Sequence, residues 1–312
     1  MTAHPWYPDP QSTPAASFAY ACFLDEQPVY TCPWPLGALP TGIAEVQPAA
    51  GLTMCDARDL GLGEAFRSGP VAFTADPGAL PYWLGREGHA AVQALMDGTA
   101  ASLPERWRTL LVAAGLAIPS GDPRPWWPAP SIHPIEIRHP DSSAVLRNLV
   151  HPFHLGVLRL HVRRLLRMGK MRDGDGQSPL RWVKHAEPVA AWVHRHLAGR
   201  VSEAAGEPLK PSYVYTATYH DRAELPIHVD REQCRYTVSL CVDCLPELPG
   251  EIPWPLLLQP PGARIQVYQK LGDGLLFGGQ NIAHGRPRMP AGLVFTTMLF
   301  HFVAADFDGS LT

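Results

Sequence analysis

The chain has 312 residues, of which 46% are hydrophobic and 18% charged, so it is long enough for one large domain or two smaller ones and apolar enough to bury a core. Its formal net charge of −3 argues against nucleic acid as a partner, because binding to the phosphate backbone requires a surplus of basic residues. The sequence has no apolar run of the roughly 20 residues that cross a bilayer, and its first residues lack the pattern of a secretion signal. We therefore expect a cytoplasmic protein without a membrane partner.

The first 130 residues are rich in proline, which favours irregular packing over long helices. A turn-rich stretch at 119–130 marks the predicted boundary between a Pro-rich N-terminal region, residues 1–130, and a second domain, residues 131–312. We interpret residues 82–118 as a small helical module that flanks the second domain; recruitment of a peptide is the alternative. The predicted elements are short strands and loops in residues 1–80, and helices at 88–96 and 103–114.

The second domain is predicted to begin with helices and to continue with strands. Apolar residues at helical spacing predict helices at 154–168 and 187–201. From residue 212 the apolar pattern has a period of two, which is typical of strands. Helices followed by many short strands favour an α+β fold, in which a double-sheet jelly roll is buttressed by helices. The predicted strands are 212–219, 235–243, 264–270, 274–278 and 293–303.

The cysteines predict no special site. Cys241 and Cys244 have the spacing of a zinc knuckle or a redox pair, but no second pair of cysteines or histidines completes such a motif. In a strand, positions three apart also point to opposite faces of the sheet. We interpret both residues as structural thiols in a reducing environment.

Three residues predict a metal site: His228, Asp230 and His284. In an extended segment, residues i and i+2 project to the same side, so His228 and Asp230 can bind one ion together. With His284 from a later strand they form two histidines and one carboxylate, the facial triad of non-haem iron(II) oxygenases. His301 is interpreted as a hydrogen-bonded core or pocket residue. Residues 173–177 have some features of a calcium loop but lack its closing glutamate, so we interpret them as a surface loop.

Residues 212–303 resemble the core of the 2-oxoglutarate/Fe(II)-dependent dioxygenases, nearest to the prolyl-4-hydroxylase-like branch. Within that branch, the segment 223–234 resembles an uncharacterised bacterial group. The resemblance implies a double-stranded β-helix of the jelly-roll or cupin-like type, with Fe(II) as the metal and 2-oxoglutarate and O₂ as co-substrates. It rests on His228-Val-Asp230, the turn and strand Gly272-Asp-Gly-Leu-Leu-Phe277, His284, and the closing strand Thr296-Thr-Met-Leu-Phe-His-Phe302.

One feature of the family is missing from the chain. Members usually carry a Lys or Arg beyond the distal histidine that binds the far carboxylate of 2-oxoglutarate, and here that position is Val294. A buried carboxylate needs a cation or several donors, and we favour Arg286 as the replacement. Trp254 could stack on a substrate at the barrel mouth or serve in packing. The other candidates for binding 2-oxoglutarate are Arg288, Arg231, Arg235, Thr296, Tyr215 and Tyr219.

The resemblance implies oxidation, most simply hydroxylation, of a C–H bond in a small metabolite, amino acid or peptide, with release of succinate and CO₂. Asp230 closes the position that the halogenases of this fold keep free for a halide. Desaturation and demethylation are related outcomes. Two other classes remain open, namely a cupin-like metal-binding or sensor protein without turnover, and a metal-dependent hydrolase or isomerase.

Overall fold

The computed structural model describes residues 23–24, 42–60, 69–75, 81–121, 130–137, 139–220, 222–248 and 250–311. Much of the predicted strand-and-loop region in residues 1–80, and most of the turn-rich stretch, lies outside these ranges. The chain divides into two compact units. The first comprises Pro8–Ala129 and His151–Leu160, and the second contains Pro130–Val150 and His161–Thr312.

The first unit combines short strands with two helices. Its helices agree with the predicted ones to within two residues at each end, and their apolar sides bury Val92, Leu95 and Leu111 in a common core. Strands β1, β5, β4 and β3 form one sheet, and β2 pairs with β6. The elements are β1 (Phe23–Leu24), β2 (Val46–Pro48), β3 (Thr53–Asp56), a 3₁₀ turn (Ala57–Leu60), β4 (Pro70–Phe73), β5 (Tyr82–Leu84), α1 (Arg86–Met96), a 3₁₀ turn (Ala100–Ser102), α2 (Glu105–Ala113) and β6 (Ala117–Pro119).

Two longer helices precede the long strands, as predicted, but the second domain does not begin with them, because strands at Ser131–Pro134 and Ala144–Arg147 come first. Helix α3 (Pro152–Arg167) contributes its residues up to Leu160 to the first unit and the rest to the second. Helix α4 (Pro188–Ala205) begins at Glu187, whose side chain accepts a hydrogen bond from the Ala190 N–H at 2.8 Å, and ends at Gly206 with a φ of 76°. No helix within the described ranges is long and apolar enough to cross a membrane.

The second unit contains two sheets. Within the described residues, the larger sheet has eight strands in the order β7-β8-β16-β13-β18-β11-β10-β9, and the smaller has four in the order β12-β17-β14-β15. The strands are β7 (Ser131–Pro134), β8 (Ala144–Arg147), β9 (Arg172–Asp173), β10 (Arg181–His185), β11 (Leu209–Tyr219), β12 (Leu225–His228), β13 (Tyr236–Leu245), β14 (Leu256–Gln259), β15 (Ile265–Val267), β16 (Gly274–Phe277), β17 (Ala283–Arg286) and β18 (Val294–Ala304).

The last eight strands form a double-stranded β-helix. Strands β11, β13, β16 and β18 lie together in the larger sheet, whereas β12, β14, β15 and β17 form the smaller one. This distribution arises because the chain crosses repeatedly from one sheet to the other as it winds. This topology confirms the predicted α+β fold with a jelly-roll core.

Apolar side chains of both sheets form the core between them. Leu275 and Phe277 of the larger sheet pack with Leu258 and Val267 of the smaller one. Helix α4 contacts the other face of the larger sheet, where the His194 ring packs on Phe300 and Phe302 and hydrogen-bonds the His301 carbonyl at 2.8 Å. Both faces of the larger sheet are therefore covered by packed side chains.

A bulge in β13 changes one expectation about the cysteines. The pairing of β13 with β18 shifts between Cys241 and Asp243, so Cys241 and Cys244 both reach the same buried core. Neither forms a disulfide, and both are fully buried. Regular alternation would have separated the two thiols, because it places positions three apart on opposite faces.

Candidate metal centre

The three predicted ligands meet at one end of the smaller sheet. His228 ends β12 and lies directly opposite His284 of the neighbouring strand β17. Asp230 follows two residues after His228, and its backbone N–H donates to the Gly279 carbonyl at 2.9 Å. Strand pairing thus positions the histidines, and this backbone hydrogen bond holds the carboxylate next to them.

The ligand atoms are close enough to share an ion. His228 Nε2 and His284 Nε2 lie 3.5 and 3.6 Å from Asp230 Oδ1. All three ligand atoms lie within 4.8 Å of one another. Adjacent ligands of an octahedral ion bound at about 2.1 Å are roughly 3 Å apart, so the arrangement fits a single ion with two imidazoles and one carboxylate.

Backbone carbonyls define the protonation of both imidazoles. His228 Nδ1 lies 2.8 Å from the Pro226 carbonyl, and His284 Nδ1 lies 2.9 Å from the Ile282 carbonyl. A carbonyl oxygen only accepts, so each Nδ1 carries the proton and donates it. This leaves each Nε2 as the atom that can bind a metal. Burial opposes a charge on His228, but the contacts with Asp230 and the Pro226 carbonyl outweigh it and raise the pKa of this imidazole.

Asp230 is held by a chain of donors from the larger sheet. Thr237 Oγ1 donates to Asp230 Oδ2 at 2.9 Å and lies 3.0 Å from His301 Nδ1. Because the single hydroxyl proton of Thr237 goes to the carboxylate, the His301 Nδ1–H donates to the Thr237 oxygen. Burial raises the pKa of the Asp230 carboxyl, but the contacts with His228, His284, His301 and Thr237 outweigh it and hold that pKa at about 2.

A glycine allows the chain to approach this carboxylate closely. A Cβ atom on Gly279 would lie 2.5 Å from Asp230 Oδ2 and 2.6 Å from Thr237 Oγ1. Both distances are shorter than any ordinary contact with carbon. Any side chain at position 279 would therefore displace the carboxylate or its donor.

The candidate ligands line a cavity of about 460 Å³ between the two sheets. Its wall includes apolar groups, among them the Phe277 ring, whose centre is 4.5 Å from that of His284. Polar groups of both sheets also face it. Those that concern the site are Thr237, Ser239, Thr297 and His301 from the larger sheet and Arg286 from the smaller one.

Arg286 is a buried cation in this cavity with neutral partners. Its Nη1 donates to the Trp254 carbonyl at 2.9 Å, and its Nη2 lies 3.3 Å from Gln269 Oε1 and 3.5 Å from Ser239 Oγ. No carboxylate of a described residue lies within ion-pair distance of it. Complete burial lowers the pKa of Arg286 to about 10, so the guanidinium stays charged at neutral pH. A buried cation without a counter-ion is costly, which makes this position suited to an anionic ligand.

The chain matches known proteins in structure but not in sequence. No protein-family model matches the chain, and no curated protein matches it. Its structural neighbours are iron/2-oxoglutarate-dependent oxygenases.

Three of these neighbours each align with 53% of this chain. The non-haem α-ketoglutarate-dependent epimerase SnoN from nogalamycin biosynthesis is 13% identical, with a TM-score of 0.44 over 78% of its own length. HygX from Streptomyces hygroscopicus, solved with nickel and 2-oxoglutarate bound, is 13% identical, with a TM-score of 0.42 over 84%. A Pseudomonas putida prolyl-4-hydroxylase is 14% identical, with a TM-score of 0.41 over 94%.

The other predicted arginines differ in position from Arg286. Arg231 is exposed and lines the cavity. Arg235 forms ion pairs with Asp141 at 2.7 Å and Glu207 at 3.0 Å and is not part of the cavity wall. Arg288 is exposed and also lies outside the wall. Of the four candidates, only Arg286 combines burial, cavity access and neutral partners.

Of the remaining predicted residues, some line the cavity and others do not. Thr296 hydrogen-bonds Thr218 at 2.9 Å on the face of β18 that points away from the cavity, so it has no access to a ligand there. Its neighbour Thr297 faces the cavity instead. Trp254 is buried, outside the cavity wall, and its Nε1–H donates to the Pro287 carbonyl at 2.7 Å. This is the packing role that the sequence left open. Tyr215 and Tyr219 do line the cavity.

Sequence reasoning missed a second polar cluster in the cavity wall. The Arg181 guanidinium donates to Asp175 Oδ2 at 2.9 Å and to the Tyr219 hydroxyl at 2.6 Å, and the Tyr215 hydroxyl donates to Asp175. Asp175 lies in the segment 173–177 that we interpreted as a surface loop. The segment is the turn of the hairpin of β9 and β10, which local pattern does not predict, because β10 has only two apolar residues, Trp182 and Val183.

A second group of possible ligands shares Asp230 with the first. Asp230, Cys234 and His301 also offer ligand atoms within 4.8 Å of one another. Burial and the charge of Asp230 raise the pKa of the Cys234 thiol to about 12. Binding an ion through this set would require the thiol to lose its proton, whereas the set with two histidines needs no such change at Asp230, whose pKa is about 2.

Proposed function

We propose that the chain is a non-haem iron(II) dioxygenase that uses 2-oxoglutarate and O₂ to oxidise a C–H bond of a small metabolite, amino acid or peptide. Hydroxylation with release of succinate and CO₂ is the proposed outcome. The observation that carries the proposal is the convergence of His228, Asp230 and His284 in the same cavity as Arg286. A facial triad alone would suit several kinds of metal protein, whereas a buried cation without a counter-ion in the same cavity calls for an anionic co-substrate.

The donor set suits iron(II). Two neutral imidazoles and one hard carboxylate on one side of an ion leave positions open on the other side, which is the arrangement of non-haem iron(II) oxygenases. Closed structural zinc sites, by contrast, fill all four ligand positions, usually with cysteine thiolates. His228 and His284 would hold the ion through Nε2 and Asp230 through Oδ1, while Thr237 keeps the carboxylate oriented.

The donors around Arg286 suit a dicarboxylate. Its guanidinium would bind the far carboxylate of 2-oxoglutarate through charge-assisted hydrogen bonds. Ser239 and Thr297 line the same cavity and add hydroxyl donors. When bound, the iron and 2-oxoglutarate supply the oxidising chemistry. The protein orients both through fixed groups and excludes water with the apolar part of the wall, which includes Phe277 and Leu256.

The proposal is tested by loading the protein with Fe(II) and 2-oxoglutarate without O₂. We expect a weak visible charge-transfer band in the wild-type protein, and succinate release after O₂ is admitted. Asp230→Ala should abolish the band. Arg286→Gln should retain Fe(II) but bind 2-oxoglutarate at least about tenfold more weakly, because it removes the charged partner of a buried carboxylate. Arg288→Gln, an exposed arginine outside the cavity, is the matched control and should leave the band unchanged.

Other outcomes would favour other classes of protein. Metal binding that is indifferent to 2-oxoglutarate would contradict the proposal and favour a metal-dependent hydrolase or isomerase. A complex with both ligands that releases no succinate, whatever substrate is offered, would favour a metal-binding or sensor protein. Circular dichroism of each variant shows whether the fold is intact.

A further inference from the structure

Arg231 is an ordered cation at the rim of the cavity. Its guanidinium carbon lies 4.4 Å from the centre of the Tyr213 ring, and its Nε donates to the Tyr213 hydroxyl at 3.3 Å. No carboxylate of a described residue lies within 4.0 Å of it. Arg235, four residues later, is paired with two carboxylates. Stacking on an aromatic ring thus holds the Arg231 side chain in place and leaves donors free for a ligand.

The Tyr213 ring connects this cation to the metal ligands. The ring stacks with that of His185, at 5.1 Å and an interplanar angle of 17°, and also contacts the His301 ring, at 4.4 Å. His301 in turn donates to Thr237, which orients Asp230. Partial desolvation, and after it the charge of Arg231, lower the pKa of His185, so this imidazole is neutral at pH 7. At the rim, the Arg231 guanidinium therefore stacks on the Tyr213 ring, and this ring contacts His301 of the hydrogen-bond network that holds the candidate ligand Asp230.

With the metal ion and 2-oxoglutarate bound, the side chains of the cavity wall would leave one positive charge for a substrate. The wall contains three arginines, Arg181, Arg231 and Arg286, and two aspartates, Asp175 and Asp230. A divalent ion and a 2-oxoglutarate dianion cancel each other, so the loaded cavity keeps a surplus of one positive charge. Arg181 is paired with Asp175, and Arg286 would be paired with 2-oxoglutarate. The surplus therefore resides at Arg231.

The surroundings of Arg231 also suit an apolar group. Val229 lies between two candidate ligands, is 54% exposed and forms part of the cavity wall, as does Leu299. An exposed apolar side chain at the mouth of a binding site is suited to contact with an apolar part of a ligand. An anionic group on Arg231 would place such a part beside Val229 and near the ion.

We infer that Arg231, supported by Tyr213 and His185, forms the subsite that binds a carboxylate group of the primary substrate, whose apolar portion extends over Val229 toward the metal. This inference rests on the proposed function and narrows its substrate to a carboxylic acid with an apolar body. It assigns separate roles to two arginines of one cavity: Arg286 to the co-substrate and Arg231 to the substrate.

The test uses matched pairs of small probes, a carboxylate and its primary amide, that share one carbon skeleton and differ in charge. Protein loaded with Ni(II), which replaces iron without turnover, and with saturating 2-oxoglutarate is titrated with carboxylates and their primary amides, beginning with 3-phenylpropanoate and 3-phenylpropanamide. Binding is followed by calorimetry and ligand-detected NMR. We expect the carboxylates to bind at least about tenfold more tightly than the amides. Saturating 2-oxoglutarate keeps the probes away from Arg286.

Variants locate the source of this preference. Arg231→Gln should reduce the preference for carboxylates to within about twofold. Arg231→Lys should retain part of the preference, because lysine keeps the charge but loses the planar guanidinium. Arg288→Gln should leave the preference intact. Three results would each overturn the inference. The preference for carboxylates could persist in Arg231→Gln, the wild-type protein could show no preference, or every carboxylate could fail to bind at millimolar concentration. Failure of the proposed function has a different signature, because Ni(II) and 2-oxoglutarate themselves would then not bind together.

Discussion

Thr237 shows how much of the candidate site depends on residues that are not ligands themselves. It lies on β13 of the larger sheet, whereas all three candidate ligands lie on or next to strands of the smaller one. Its hydroxyl joins Asp230 to His301 and so connects the two sheets across the cavity. The residue-level pattern in the sequence identified the three candidate ligands, but a threonine in a buried strand carries no such signal.

We predict that Thr237→Val weakens metal binding about 10- to 100-fold, the range typical for loss of a hydrogen bond to a metal ligand. Valine matches the shape of threonine but removes the donor to Asp230. Thr296→Val is the control, since it removes a buried hydroxyl of the same sheet that bonds Thr218 on the opposite face. Competition with a metal-binding dye gives both affinities. Equal losses in the two variants would show that the effect is general destabilisation.

At the scale of elements, the turn of the hairpin of β9 and β10 contains a charged residue that forms part of the cavity wall. Asp175 in the turn accepts hydrogen bonds from Arg181 and Tyr215. Burial raises the pKa of the Asp175 carboxyl, but the bonds from Arg181, Tyr215 and the Ser178 backbone outweigh it and hold the pKa at about 2. These bonds join the turn to β11 and define one side of the cavity.

This depressed pKa predicts a pH-dependent contribution to stability. A carboxyl with a lower pKa in the folded than in the unfolded chain stabilises the fold above the unfolded value, and the contribution disappears as pH falls through the folded value. Asp175→Asn should therefore be less stable than wild type at about pH 6, and the difference should shrink as pH falls from about 4 toward about 2. Urea unfolding at several pH values measures it. Asp173→Asn, at an exposed position of the same hairpin, controls for loss of a carboxylate; a pH-independent difference for Asp175→Asn would contradict the prediction.

At the scale of the whole molecule, the candidate site joins sequence segments that are far apart. Its residues come from Asp175 through His301, and the wall is complete only when both sheets are formed. Ligands that bind this wall bind the folded state alone. They should therefore stabilise the second unit as a whole.

We predict that Ni(II) together with 2-oxoglutarate raises the thermal unfolding temperature of the protein. At concentrations near 100 times Kd, linkage contributes about 2.7 kcal/mol, which corresponds to several degrees for a unit of this size. Differential scanning fluorimetry measures the shift. A chelator should reverse it, and Asp230→Ala should not show it. A rise of the same size in Asp230→Ala would indicate that the metal binds elsewhere.

The sequence by itself determined the order of helices and strands and the identity of the three candidate ligands. Periodicity is a local property, so α4 and the long strands β11, β13 and β18 were predicted close to their observed bounds. The ligands were recognisable because alternation along a strand puts His228 and Asp230 on one side. The short strands β12, β14 and β17 were missed, because four residues are too few to show a period by themselves. The equally short β16 was predicted because the turn at Gly272-Asp-Gly274 marks its beginning.

Only the tertiary structure decided which polar groups share the cavity. The sequence favoured Arg286 over Arg231 and Arg235 only by its distance from His284, whereas in the structure burial and the placement of Asp141 and Glu207 distinguish the three. Thr296 and Thr297 are adjacent in the chain, and the register of β18 puts only the second in the cavity wall. The physical reason is the same in each case. The surroundings of a side chain depend on strands that are distant in sequence, and their approach is a property of the packed sheets.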